Sequence, residues 1–343
     1  LSRSPAEASA TGPRAAIFGL SGPRLTADER AFFAEADPWG FIVFARNVET
    51  PAQLLALTGA LRDAVGREAP VLIDQEGGRV QRMRPPHWRA WPDPRPACEA
   101  LSEPGAERML RLRYRLIAHE LRACGVDVNC APLLDVPQPD AHPIIGDRAY
   151  GADPTRIARL GRAVREGLAA GGVAPIVKHI PGHGRAGVDS HHALPRVGAS
   201  RAALEGADFA PFRAHADAPM AMTAHVVFEA VDPDACATFS RPMIRLIREE
   251  IGFGGLLMSD DLGMGALDGP MRGRAARAFA AGCDMALHCD GDRAAMEAVA
   301  EAAPRLAGVA LARARAAEAS RGAPQPFDPA DAVAALDALG GVH

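Results

Sequence analysis

Eight short apolar runs, spaced along the chain by segments of helical periodicity, constrain this sequence more than any other feature. The runs are AAIFGL from Ala15, GFIVFA from Gly40, PVLIDQE from Pro70, DVNCAPLLDV from Asp127, VAPIVKH from Val173, APMAMTAHVVF from Ala218, GLLMSDD from Gly255 and CDMALHC from Cys283. Between them, apolar positions recur at helical spacing behind recognisable start signals. Thr26 with Glu29 and Thr50 with Gln53 read as capping boxes, and Pro51 stands at a first helical position. Ser240 before Pro242 and Asp153 before Pro154 mark two further starts, while Gly125, Gly171 with Gly172, and Gly282 sit in the turns that follow helices. Strand then helix, eight times over, fits either a (β/α)8 barrel or a doubly wound sheet. No GxGxxG turn follows the first run, and polar residues recur at the ends of many runs instead of at one switch point. The expectation is therefore an α/β fold, a single (β/α)8 TIM-type barrel over residues 15–317. A flexible N-terminal segment, 1–14, is expected before it, and a tail, 318–343, is expected to pack on its exterior.

Composition narrows the function. Of 343 residues, 48% are hydrophobic and 23% charged, enough to bury a large core. A formal net charge of -4 provides no footprint for nucleic acid or an anionic membrane surface. The six cysteines, at 98, 124, 130, 236, 283 and 289, form no CxxC pair and read as reduced and mostly buried. No apolar stretch approaches a membrane span and LSRSPAEASATGPR lacks a signal core, so a cytoplasmic monomer is expected.

The chemistry concentrates at the carboxyl ends of the runs, which in a barrel surround one mouth. The third run ends in Asp74 and leads into QEGGRVQR with Arg82; the fourth ends in Asp135 and leads to Arg148 in IIGDRAY. The fifth supplies Lys178 and His179, the sixth His225, and the seventh Asp260 and Asp261. The densest stretch is KHIPGHGRAGVDSHH, Lys178 to His192, whose Pro181 and glycines exclude a helix and place its histidines and Asp189 on a strand end and loop. Carboxylates beside cationic forks suit a neutral polyhydroxylated ligand: a buried Asp74 can accept two hydroxyl protons while Arg82, Arg148 and Lys178 keep it ionised. The proline-rich RMRPPHWRAWPDPRP, with two of the three tryptophans, is expected to be an irregular, rigid rim loop whose aromatics either plug the core, the favoured reading, or form a platform for a sugar face.

DQEGGRVQR, IGDRAY, KHIPGHGRAGVDSH and SDDLGM, with FARNVETPAQL and LHCDGD, resemble the NagZ-type single-domain bacterial β-N-acetylhexosaminidases of glycoside hydrolase family 3. The resemblance spans nearly the whole chain. It implies a retaining exo-β-N-acetylglucosaminidase without cofactor or metal, acting on 1,6-anhydro-muropeptides in peptidoglycan recycling. It makes Asp260 the nucleophile and His191 the general acid/base paired with Asp189. Asp74, Arg82, Arg148, Lys178 and His179 become sugar-binding residues. Ile180 departs from the family's usual Phe, and Gly263 and Gly265 dilute its polar turn after the nucleophile. Physical chemistry agrees in part, because a carboxylate nucleophile supplies half of what glycoside hydrolysis needs, and histidine is a competent proton donor when a carboxylate fixes its ring. Asp189, two residues from His191, is close enough to accept its other ring N–H. Asp260 is expected to enter the mouth alone, since neighbours on a strand face opposite sides. The glycines at 182, 184 and 187 are expected to leave the His191 loop poorly restrained. Two rivals remain: a metal-dependent barrel hydrolase, which lacks an HxH pair at the first strand, and a sugar-binding barrel without catalysis.

Overall fold

Each apolar run forms one strand of a closed, parallel barrel in the computed structural model, which describes residues 12–339. The strands are β1 (Arg14–Phe18), β2 (Pro38–Val43), β3 (Val71–Ile73), β4 (Val128–Asn129), β5 (Ala174–Ile180), β6 (Met220–Thr223), β7 (Leu256–Asp261) and β8 (Met285–His288). They neighbour one another in chain order, and β1 pairs with β8 to close the ring. Both faces are covered, which is why the strands read as continuous apolar runs without alternation. One set of side chains, including Ile17, Ile42, Leu72, Ile176, Met220, Met258 and Leu287, fills the interior. A larger set, including Phe18, Phe33, Val71, Val177 and Leu257, packs outward under the helices.

Local chemistry sets the helix starts. Thr26 and Glu29 form the expected reciprocal capping box at Ala27–Ala36. At Pro51–Val65 only half of the box exists: Thr50 accepts the Gln53 N–H, but Gln53 Oε1 takes the Glu49 N–H instead, at 2.8 Å. Asp153 and Ser240 cap Pro154–Ala170 and Arg241–Glu249 as expected. The proline-rich rim is irregular over 82–93, as expected, and departs from expectation only at its end, with a hairpin just ahead of it. Gln75–Gly77 and Val80–Gln81 form a small antiparallel hairpin, and Pro94–Glu99 is helical with Pro94 in its first turn, where its missing N–H costs nothing. Trp88 and Trp91 are buried as core plugs.

Residues 1–11 of the expected flexible N-terminal segment lie outside the described residues, and Arg14 is the first residue of β1 rather than the last of a leader. At the other end, Pro329–Asp337 packs against Glu103–Ala123, with the Arg115 guanidinium 4.0 Å from the centre of the Phe327 ring. All six cysteines are free and buried. Burial pushes their thiols up, Cys236 to about 11 and Cys98 to about 12. Among the described residues, no helix is long and apolar enough to cross a membrane.

Candidate active site

The carboxyl ends of the strands enclose a cavity of about 430 Å³. Asp74, Arg82, Arg148, Lys178, His179, His191 and Asp260 all line it. Ile42, Met222 and Leu287 line it too, and they belong to the side chains that fill the barrel interior. The site is thus a blind pocket standing on a packed core.

Its positive side is a chain of five charged groups. Arg82 Nη2 donates to Asp74 Oδ2 (3.1 Å), and Lys178 Nζ lies 2.7 Å from both Asp74 Oδ1 and Glu76 Oε1. Arg148 grips Glu76 with both arms of its fork, at 2.9 and 2.7 Å. Burial alone would raise both carboxyls, but Lys178 and Arg82 hold Asp74 far below the usual range, and Arg148 with Lys178 hold Glu76 down at about 2. The same neighbours push Lys178 and Arg148 upward against the opposing effect of burial. One expectation needs correcting here: Arg148 makes its ion pair with Glu76, not Asp74. Sequence reasoning missed Glu76. Its signal was the two-residue spacing from Asp74, which puts both side chains on one side of extended backbone. On the helix Glu103–Ala123, Arg113 Nη2 (2.7 Å) and Tyr114 Oη (3.2 Å) both donate to the Glu76 carbonyl and hold the hairpin from behind.

Next to this network, His179 Nε2 stands 4.0 Å from Asp260 Oδ2. Its Nδ1 is 2.8 Å from Asp135 Oδ2; an ionised carboxylate only accepts, so Nδ1 carries the proton and Nε2 faces Asp260. Asp135 Oδ1 also accepts the His179 and His183 backbone N–H groups, and these contacts outweigh burial to keep its carboxyl below the ordinary value. Asp260 is likewise held down: burial raises it, but His179, His225 and the Asp261 N–H prevail. Asp261 is raised, by burial first and by the Asp260 charge in addition. His225 Nε2 donates to the Asp261 carbonyl at 3.0 Å.

Contrary to the alternation argument, both Asp260 and Asp261 line the cavity. The pairing of β7 with β8 shifts register between Met258 and Asp261, and β5 against β6 shifts between Lys178 and Ile180. Such irregularities re-aim side chains at strand ends.

The histidine-rich stretch divides into parts with different positions. His179 lines the cavity, His183 is buried behind it, His191 stands at the rim and His192 is exposed. His191 Nδ1 lies 2.7 Å from Asp189 Oδ1, which also accepts the His191 N–H at 2.9 Å. The loop is not uniformly loose. A Cβ on Gly184 would lie 2.0 Å from the Val136 carbonyl oxygen, and one on Gly182 would lie 3.1 Å from Asp208 Cβ. These glycines permit close approach and pin residues 182–186; only Gly187 has open space around it. Ser190 is tethered as well, its Oγ 2.9 Å from His183 Nε2.

Among the described residues, no group of three or more His, Cys, Asp or Glu is placed to share a metal ion. A carboxylate held ionised, a histidine–carboxylate pair at the rim and a wall of buried ion pairs form a constellation suited to displacement at a sugar carbon.

Comparison with known proteins points the same way. The model of the glycosyl hydrolase family 3 N terminal domain matches residues 18–319. A β-hexosaminidase of Alkalilimnicola ehrlichii is 44% identical over 285 residues, covering 80% of this chain and 80% of that protein. One from Pseudomonas aeruginosa is 38% identical over 294 residues, covering 84% and 86%. Native NagZ of Neisseria gonorrhoeae superimposes with a TM-score of 0.84 at 31% identity, over 96% of this chain and 99% of that one. That protein has also been solved in complex with N-trifluoroacetyl-D-glucosamine.

Proposed function

Because the chain belongs to glycosyl hydrolase family 3, and is thus a glycoside hydrolase, we propose that it is an exo-β-N-acetylglucosaminidase that works with retention of configuration. The observation that carries this reading is the pairing of Asp260, held ionised beside His179, with the His191–Asp189 pair on the rim of the same blind pocket. A closed-bottom cavity suits the end of a chain, since a terminal sugar fills it and the aglycone leaves through the mouth.

In the first step an Asp260 oxygen attacks the anomeric carbon as the bond from that carbon to the leaving oxygen breaks. His191 gives its Nε2 proton to that oxygen. In the second step His191 takes a proton from water, whose oxygen attacks the same carbon and releases Asp260 as carboxylate. Two inversions leave the configuration retained. Asp189 accepts the Nδ1 proton throughout and fixes the ring, as buried carboxylates do in other hydrolases. Asp74, Arg82, Lys178, Arg148 and His179 bind the sugar hydroxyls.

The motif resemblance supports 1,6-anhydro-muropeptides as natural substrates, and with them a place in peptidoglycan recycling inside the cell. Activity on a chromogenic β-N-acetylglucosaminide, measured beside the matching glucoside, tests the reaction. Trapping with a 5-fluoro glycoside tests the covalent step. Turnover of neither glycoside would refute the assignment and favour a sugar-binding barrel.

A further inference from the structure

We propose that Gly265 is the seat on which the His191 loop docks, a positioning residue whose missing side chain sets how closely the proton donor approaches the turn after the nucleophile. This rests on the reading of His191 as general acid/base. The Gly265 N–H donates to the His191 carbonyl at 3.1 Å, and the Ala266 N–H donates to the Ser190 carbonyl at 3.1 Å. Two consecutive backbone bonds thus tie the proton-donor loop to the turn that follows β7. A Cβ on Gly265 would lie 2.7 Å from the His191 carbonyl oxygen, 3.3 Å from that of His192 and 3.4 Å from His192 Cα. Gly263, two residues earlier, is different: the atoms nearest to a Cβ there are the Asp261 carboxylate oxygens, at 3.2 Å. The φ of Gly265 lies outside the left-handed region, so alanine there is unstrained by its own backbone. The three atoms nearest to such a Cβ all belong to the docked loop.

The loop must be the side that yields. Leu262, Met264, Ala266 and Leu267 are buried, the Leu262 N–H donates to the Leu287 carbonyl (2.9 Å), and Arg274 Nη1 donates to the Leu262 carbonyl (2.7 Å). Across from them, His191 and His192 are exposed and Val188 is 41% exposed. With Ser190 held by His183, displacement falls on His191 and His192. Opening the 2.7 Å contact to an ordinary separation of roughly 3.5 Å moves them by more than the roughly 0.5 Å that catalytic groups tolerate.

The test assays Gly265→Ala, Gly265→Val, His191→Ala and the double variants on two β-N-acetylglucosaminides, one with an activated aryl leaving group and one with an unactivated alkyl group. On the alkyl substrate, kcat/KM is expected to fall about 10-fold for Gly265→Ala and further for Gly265→Val, while the aryl substrate changes less than about two-fold. In the His191→Ala background, Gly265→Val should add no further loss. Thermal unfolding checks folding, and the alanine variant carries the test if valine fails to fold. Equal losses on both substrates, or none, while His191→Ala itself discriminates between them, overturn the docking role and leave the acid/base reading intact. If His191→Ala slows both substrates equally, that reading fails and the docking role fails with it.

Discussion

Glu76 faces Lys178 across 2.7 Å with both side chains only 2% exposed, and the same carboxylate holds Arg148. Removing it leaves two buried cations short of a partner. Glu76→Ala is expected to lower unfolding free energy by about 3–5 kcal/mol, measured by denaturant titration. Glu76→Gln keeps the shape and one acceptor, so it should fold better while raising KM, because Lys178 and Arg148 lose the charge that orients them. A stable Glu76→Ala protein with unchanged KM would refute this role.

Asp74 occupies the mouth side of the same network, 15% exposed, with Lys178 and Arg82 on its oxygens. Asp74→Ala is expected to reduce kcat/KM at least about 100-fold, since a ligand group that also binds the transition state contributes a few kcal/mol. A folded variant with full kcat/KM would remove Asp74 from the binding site.

The two adjacent carboxylates should differ in kind. Asp260 is held ionised, whereas Asp261 is raised and its Oδ1 accepts both the Gly263 and the Cys289 N–H groups, at 2.9 and 3.1 Å. Asp260→Asn is expected to abolish turnover, with losses of about 10³-fold or more, and Asp261→Asn to leave a measurable rate. Peptide mass analysis after fluoro-glycoside trapping should place the label on Asp260. A label on Asp261 would reverse the assignment.

Acid should destabilise the protein in two stages. His183 is lowered to about 4, by burial first and the neighbouring His179 second, and His215 to about 4, by burial first. Both are neutral in the fold and protonate more readily when unfolded, near 6.5. Their contribution is therefore present above pH 6.5 and lost as pH falls toward 4, up to about 3 kcal/mol each. Asp74 and Glu76 are depressed instead, so their contribution is present above roughly pH 4 and lost as pH falls toward 2. Unfolding free energy measured from pH 7 to 2 checks this, and His183→Gln should flatten the upper stage.

Much of this arrangement could be read in the sequence, for identifiable reasons. Parallel strands buried on both faces announce themselves as apolar runs, so all eight were legible, and the barrel followed from polar residues at their ends. Asp74, Lys178 and Asp260 were legible because strand ends converge. Two things were not. Register shifts near Met258 and Lys178 bring consecutive side chains into one cavity, and nothing in SDD or KH signals a bulge. Gly184 looked like a source of freedom, but its role depends on Val136, 48 positions away, which only the fold brings against it.

The burial of every native cysteine makes the protein chemically quiet toward thiol reagents, because the thiolate is the reacting form and high thiol pKa values suppress it. A single cysteine placed at exposed Val188 would then be the one fast-reacting sulfur among the described residues, and a fluorophore attached there would report the position of the His191 loop in an otherwise unmodified enzyme.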